Sequence, residues 1–346
     1  MAKKSKKQHY SGIGGQAVLE GVMMRNKNLM AVAVRKMDGE IEVAVDEYHG
    51  IGEKTVWVKI PLIRGILSFI DSLITGMKAL NYSSSFYEEE EENEKNSKKK
   101  EKTPEQKERE DNFFTVLTVI LSLVLAIGLF IALPLFLTSI LEQYIRSDAF
   151  LALVEGVIRL AIFLIYMVAI TAMKDIRRLY RYHGAEHKCI NCLERGKPLT
   201  VQYVMDSSRF HKRCGSSFVI LTVIISIILF FFIRVDSTWQ RLVLRLLLIP
   251  IIAGISFEFL RYAGRHNNVF VNIISAPGVW LQHLTTKEPD ESMVEVAIAS
   301  VEAVFDWKAY LEKNFGYTEE ELEAVLEDAA TSGREFEAAR IKKEEI

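Results

Sequence analysis

The sequence has few cysteines, the residues whose disulfides stabilise many secreted proteins. It contains three cysteines in 346 residues, and two of them form the close pair Cys189-x-x-Cys192. The basic start, residues 1–7, is not followed by an apolar signal core. A disulfide framework is therefore not expected, and the chain is predicted to begin in the cytoplasm.

Nucleotide-binding signatures are also missing. The glycine-containing stretch Gly14–Arg25 has neither Gly-x-Gly-x-x-Gly nor Gly-Lys-Ser/Thr. We interpret its glycines as tight turns that open a small sheet, with phosphate binding as the weaker alternative. The net charge of −2 hides strong local asymmetry and says little about partners; no nucleic-acid partner is predicted.

Long apolar runs dominate what the sequence does contain. Hydrophobic residues make up 49% of the chain although 25% is charged, which indicates that the two classes are segregated along the sequence. A bilayer is crossed by about 20 apolar residues. The sequence thus predicts a mainly α integral membrane protein with about four transmembrane helices and the lipid bilayer as a partner. The predicted spans are Phe113–Leu141, Ala149–Met173, Ser216–Ile233 and Leu242–Phe257.

Loop charge predicts the orientation of these spans. The loop between the second and third spans, 174–215, holds ten Lys and Arg residues against four acidic ones. The positive-inside rule places this loop in the cytoplasm together with both termini, in a multi-pass protein of the cell membrane. That compartment is reducing, so the three cysteines are expected as thiols or metal ligands.

The sequence also predicts how the chain divides into segments. A small β-containing N-terminal unit, residues 1–60, includes two strands, Leu29–Met37 and Glu40–Asp46, joined by the turn signal Asp38-Gly39. The other boundaries are an amphipathic helix at 61–87, a charged flexible tether at 88–112, the membrane domain at 113–260, and an interfacial segment with C-terminal amphipathic helices at 261–346.

Three charged residues fall inside the predicted spans. Glu155 and Arg159 are four residues apart in the second span, and Arg245 enters the fourth span at a similar depth. We expect them to pair between helices near the outer surface.

Metal-binding residue types crowd into one stretch of the loop. On a helix, His183 and His187 share a face, and Glu186 between them gives His-x-x-Glu-His, the inverted form of the zinc-peptidase helix motif. His211 and Cys214 follow shortly after. The second span has no break signal after Met173, so we expect its helix to continue and to carry His183 about 15 Å beyond the span.

Four interpretations of this stretch remain open. A structural zinc site would use His183 and His187 with His211 and Cys214, or with the cysteine pair. A catalytic site would use three protein ligands, with Glu186 as general base. Glu258, at the cytoplasmic end of the fourth span, is a candidate third ligand, although it could pair with a nearby arginine instead. The third interpretation is redox chemistry at the Cys189/Cys192 pair. The fourth is that the histidines only form hydrogen bonds.

Four motifs in this order resemble the DUF1385 family of bacterial membrane proteins, sometimes described as predicted metal-dependent enzymes. The resemblance covers nearly all of the chain and implies an integral membrane protein of unestablished reaction. In the family pattern, Thr and Ala usually stand at the positions of Cys189 and Cys192, so the resemblance implies His183, Glu186, His187, His211 and Cys214 as the functional set. The motifs are Gly14–Arg25, Tyr182–Lys188, Arg209–Gly215 and Leu284–Pro289.

Two classes of function are consistent with these features. The first is a metal-dependent hydrolase, most simply a zinc enzyme, that acts at the cytoplasmic membrane face. The second is a scaffold or assembly and quality-control factor with a structural metal, which would bind membrane protein partners or form a homo-oligomer. A transporter or channel is a weaker third option, because no span carries a row of polar residues.

Overall fold

The computed structural model describes residues 8–51, 56–95, 104–232, 237–266, 268–329 and 331. Helices dominate this part of the chain, and one antiparallel sheet lies near its N-terminus. Four helices are long and apolar enough to cross a membrane. The predicted fold class, mainly helical with about four candidate spans and a small N-terminal β unit, is confirmed.

The sheet contains four strands in sequence order: β1 (Gly14–Val18), β2 (Gly21–Asn26), β3 (Leu29–Arg35) and β4 (Ile41–Glu47). The predicted hairpin is β3–β4, and Gly39 in its turn has a φ of +90°, a conformation that favours glycine. The glycine-containing stretch before it was predicted only as turns, and it forms two strands instead. Both faces of the sheet are covered, which explains the unbroken apolar run in β2.

Side-chain alternation divides the sheet residues between two cores. Val22 and Met24 of β2 pack with α5 and α10, defined below, in the main hydrophobic core. This core belongs to the soluble layer, the name used for the sheet and the helices that lie outside the candidate spans. Met23 between them points to the other face, where it packs with Ala79 of α1 (Pro61–Lys95). Helix α1 therefore covers one face of the sheet, and α10 covers the other together with α5, which carries His183 and His187.

The four candidate spans match the predicted apolar runs. The first combines α2 (Pro104–Ile127), a π-helical turn (Gly128–Ala132) and α3 (Leu133–Leu141). The others are α4 (Asp148–Thr171), α7 (Gly215–Phe232) and α8 (Thr238–Arg265). Of the predicted charged tether, 88–112, the structure describes helix up to Lys95 and from Pro104, and 96–103 lies outside the described residues.

The three charged residues of the spans meet inside the bundle. Glu155 Oε1 lies 2.7 Å from Arg159 Nη2, and its Oε2 lies 2.6 Å from Arg245 Nη2. Both guanidinium groups stand 4.9 Å from the centre of the Phe230 ring. The carboxylate thus joins α4 to α8, and the Phe230 ring of α7 contacts both cations.

The helix that carries the histidines is separate from the second span. Helix α4 ends at Thr171, and α5 (Lys174–Glu194) begins after Met173, whose ψ of 134° is extended. The prediction of one continuous helix from the span to His183 is therefore wrong. A change of direction at this point lets α5 pack against β1 and α10 in the soluble layer.

The C-terminal part of the chain adds further helices: α6 (Val201–Met205), α9 (Val269–Thr285), α10 (Glu291–Glu302) and α11 (Trp307–Phe315), with residues 319–329 also helical. Within the predicted interfacial segment, α9 packs against α7 and α4. The predicted C-terminal helices begin with α10, which ends at Glu302, and α11 follows from Trp307 after a short break.

Candidate metal centre and its surroundings

Helix α5 places three of the predicted site residues on one face. His183, Glu186 and His187 are spaced by three and four residues, so their side chains project from adjacent turns. The helix is amphipathic, and its second half is almost wholly buried between β1 and α10. The histidine pair therefore lies within the protein rather than on an exposed loop.

Cys214 completes a group of three potential metal ligands. One donor atom from each of His183, His187 and Cys214 lies within 4.8 Å of the other two. The His183 Nε2 and Cys214 Sγ atoms are 3.0 Å apart. Two bonds to zinc at a tetrahedral angle would separate them by about 3.6 Å, so an ion could enter after a shift of about half an ångström.

Backbone carbonyls hold both imidazoles in the orientation that a metal requires. His183 Nδ1 donates to Thr285 O over 2.9 Å, and His187 Nδ1 donates to Arg209 O over 2.6 Å. With Nδ1 occupied in each ring, Nε2 is the nitrogen left for coordination. Such outer contacts fix the tautomer and orientation of histidine ligands, and here they come from two segments distant in sequence.

His183 and Cys214 form a charge pair in the metal-free protein. Burial favours the neutral imidazole, but the Cys214 thiolate and its hydrogen bond raise the pKa of His183 to about 10. Burial likewise favours the neutral thiol, yet His183 and His187 hold the pKa of Cys214 well below its usual range. Cys214 directly precedes α7, and Ser216 N–H donates to its sulfur over 3.4 Å. A preformed thiolate is the form that binds metal.

Glu186 is buried beside the three ligands. Burial raises the pKa of its carboxyl group, while His187 and His183 oppose that rise. Strand β1 crosses over this side chain at Gly15, where an added Cβ would lie 3.0 Å from Glu186 Cγ. A carboxyl group with a raised pKa next to imidazoles has the properties of a general acid or base.

His211 lies close to the group but has another carboxylate partner. Its ring centre is 5.6 Å from that of His187, and its Nε2 is 3.7 Å from Glu194 Oε2. Burial lowers the pKa of His211 to about 4, although Glu194 opposes this shift. His211 and Cys214 are both candidate ligands by sequence, and the structure brings Cys214 into the group of donors.

Glu194 was not singled out from the sequence. Its carboxylate is fully buried and accepts hydrogen bonds from Ser11 N over 3.0 Å, from Gln8 Nε2 over 3.0 Å and from Arg213. These bonds join the N-terminal segment to the end of α5 and to the residue before Cys214. A buried carboxylate needs such partners, but no spacing rule in the sequence connects them.

The structure does not bring Glu258 to the centre. Arg64 of α1 holds both oxygens of this carboxylate, with Nε at 2.9 Å from Oε1 and Nη2 at 2.5 Å from Oε2. The predicted nearby pairing was with an arginine of α8 itself. The actual partner is 194 residues away in the sequence.

The Cys189–Cys192 pair is also apart from the group of three. All three cysteines are free, and both members of the pair are buried. Burial raises the pKa of Cys189, and it raises that of Cys192 to about 12. Reactive redox thiols have a lowered pKa, so these two side chains have the character of core residues.

The C-terminal motif frames the centre from the opposite side. Thr285 supplies the carbonyl for His183, and Thr286 O accepts from Arg209 Nη1 over 2.7 Å. Glu288 lies 2.9 Å from the amine of Lys188. Gly184 allows this approach, because an added Cβ would lie 2.0 Å from Lys287 O. The four motifs singled out from the sequence therefore converge on one place.

Comparisons with known proteins agree with these motifs. The family described as "Protein of unknown function (DUF1385)" matches residues 60–307. The chain is 34% identical over 304 residues to "Uncharacterized protein YqhQ" of Bacillus subtilis (strain 168), an alignment that covers 87% of this chain and 94% of that protein. No solved structure matches the chain. Both sequence matches cover most of the chain, and the protein belongs to the DUF1385 family.

Proposed function

We propose that this is a multi-pass membrane protein whose His183, His187 and Cys214 side chains bind a divalent metal, most simply zinc. The observation that carries the proposal is the orientation of both imidazoles, whose Nδ1 atoms are bound to backbone carbonyls. Histidine nitrogen and cysteine thiolate are both common zinc ligands. The ten basic residues of 174–215 support a cytoplasmic position for the centre and both termini.

The donor count favours a hydrolytic centre. Catalytic zinc sites have three protein ligands and leave one position open, whereas structural sites are closed by four. A metal held there would supply Lewis-acid polarisation of a carbonyl or phosphoryl group. Glu186, on the same helix face, would accept and return the proton in such a reaction, as its raised pKa permits. Cys214 directly precedes α7, which would place the reaction at the membrane surface.

Elemental analysis of the purified protein tests metal binding. The wild type should retain about one zinc per chain, and the His183→Ala/His187→Ala variant should lose it. A matched control, His266→Ala/His283→Ala, changes two exposed histidines and should keep the metal. Equal metal content in the wild type and the His183→Ala/His187→Ala variant would rule out the centre.

Glu186→Gln tests the hydrolytic role. The change keeps the shape of the side chain but removes the base, so the variant should keep its zinc and its folded state. Activity would be measured on p-nitrophenyl esters, bis(p-nitrophenyl) phosphate and casein, with zinc-loaded protein in detergent micelles. Turnover of one of these by the wild type and a loss of 100-fold or more in the variant would agree with general base catalysis.

A structural metal in a membrane scaffold is the second candidate. It is favoured by the burial of the centre, which links α5 to the segment before α7 and to the end of α9. A scaffold would act through membrane protein partners or a second copy, and it would turn over none of the probes. Its signature would be loss of thermal stability on zinc removal with little effect of Glu186→Gln.

A further inference from the structure

Helix α1 makes an unusually close contact with the candidate span α8. A Cβ added at Gly65 would lie 2.5 Å from Gly254 O, so the two backbones touch at this point. Small residues at a helix crossing are typical of membrane helices, where close packing replaces the hydrophobic effect. The Arg64–Glu258 ion pair, with both oxygens engaged, lies beside the crossing and neutralises both charges.

The depth of this crossing follows from the length of α8. Its apolar part, Trp239–Gly264, has 26 residues and is about 39 Å long, more than the bilayer's hydrocarbon thickness of about 30 Å. If that part is centred, Gly254 lies about 11 Å inside the boundary near Gly264. The first turns of α1, which contact Gly254 through Leu62, then lie at the same depth.

The direction of α1 returns the chain to the soluble layer. Phe69 stacks on Phe218 at a centroid distance of 5.0 Å, and Phe218 is in the first turn of α7. Asp71 accepts a hydrogen bond from Ile51 N over 3.2 Å and pairs with Arg25 of the sheet. Asp71 is nine residues from Leu62, or about 14 Å along the helix. This distance brings Asp71 back to the boundary.

The surface of this segment has the composition of a lipid-facing surface. Val56, Trp57 and Ile60 expose 71%, 56% and 44% of their surface, and they precede α1 at the deep end. Apart from the arginine paired with Glu258, the charged side chain of the segment is Lys59, whose long apolar stem can carry its amine towards headgroups. The apolar surface of α8 continues beside it, with Ile251 and Ile255 both 38% exposed.

We propose that Val56–Ile70 is a re-entrant element, inserted into the leaflet that borders the His183/His187/Cys214 centre and covered by lipid acyl chains. The segment enters the hydrocarbon layer without crossing it and returns to the sheet through α1. This inference rests on the membrane location of the spans proposed above. The segment is too short to cross the bilayer and therefore differs from the four candidate spans.

Quenching of tryptophan fluorescence by brominated lipid chains tests the insertion. The full-length protein is reconstituted in vesicles of phosphatidylcholine brominated on its acyl chains, in a Trp239→Phe/Trp280→Phe background. Both replaced side chains are exposed, and the remaining Trp307 is buried in the soluble core. One protein retains Trp57. A second adds Trp57→Phe, and a third adds Trp57→Phe with Leu247→Trp, a position on α8 with 67% exposure.

The protein with Trp57 should lose at least twice the fraction of fluorescence that the Trp57→Phe protein loses. The Leu247→Trp protein should be quenched as well, since this residue reports the span itself. If Leu247→Trp is quenched but Trp57 is not, the segment lies outside the bilayer or a second copy covers it, and the proposal is overturned while the membrane location stands. If neither is quenched, both proposals fail.

Discussion

Replacing Glu155 by glutamine should strongly destabilise the packing of the candidate spans. Its carboxylate faces two arginines, and the three side chains are at least nine-tenths buried. Removing one partner of a buried ion pair costs about 3–5 kcal/mol, because the remaining charge is left uncompensated. Glu155→Gln leaves both guanidinium groups in that state, so we expect a loss of about 3 kcal/mol or more.

Arg245→Met provides the contrasting change. It removes the excess charge and leaves Glu155 paired one to one with Arg159 over 2.7 Å, so the expected loss is about 1 kcal/mol or less. The double variant Glu155→Gln/Arg245→Met has one uncompensated cation instead of two, and it should be more stable than Glu155→Gln alone by about 1–2 kcal/mol.

The free energy of unfolding would be measured by titration with sodium dodecyl sulfate in mixed micelles, followed by circular dichroism. A double variant less stable than Glu155→Gln would refute the reasoning, because the excess positive charge would then not be the source of the instability. So would a loss from Arg245→Met that equals the loss from Glu155→Gln.

Three further predictions concern the soluble layer and the centre. Gly184→Ala should lower stability by about 1–3 kcal/mol, because the added Cβ would lie 2.0 Å from Lys287 O. Gly128→Ala is the control, since no atom lies within 4 Å of its added Cβ, and it should not lower stability. Thermal unfolding compares the two variants. The pKa of His211, lowered to about 4, means that its contribution to stability is present above about 6.5 and is lost as the pH falls towards 4. Between pH 7 and pH 5 the metal-free wild type should therefore lose about 2 kcal/mol more stability than His211→Gln loses, as measured by denaturant titrations at the two pH values. Zinc binding at pH 8 should release about one proton, since His183 is protonated there and Cys214 is not; calorimetry in buffers of different ionisation enthalpy counts the protons, and a value near zero would contradict the charge pair.

Local patterns were sufficient to predict the spans, the β3–β4 hairpin and the metal-ligand candidates on α5. Each depends on residues close together in the sequence, such as the apolar run that forms α7 or the spacing of His183 and His187. The choice of Cys214 over His211 depends instead on how the segment before α7 folds back onto α5. Both residues lie within four positions of each other, so spacing alone could not separate them.

The errors arose where tertiary contacts override local sequence. The break at Met173 has no glycine, proline or side-chain cap, and it follows from the packing of α5 against the sheet. The partner of Glu258 is on α1, and no local pattern in the sequence connects α1 with α8. Helix α9 did have a local signal: Asn268 accepts from Val271 N over 2.8 Å, an N-cap contact that the mixed polarity of this segment obscured.

The position of Cys214 directly before α7 has a mechanical consequence. His183 and His187 are on α5, whereas the sulfur belongs to the residue directly before α7, a candidate membrane span. A slide of α7 by one residue moves it about 1.5 Å, far beyond the roughly 0.2 Å by which metal–ligand bonds vary. A bound ion would thus fix the position of α7 along its own axis. Coupling is reciprocal, so a condition that shifts α7 would weaken ion binding by the same free energy with which the ion opposes the shift. Through the Cys214 thiolate, the affinity for zinc would then depend on the thickness of the membrane around α7.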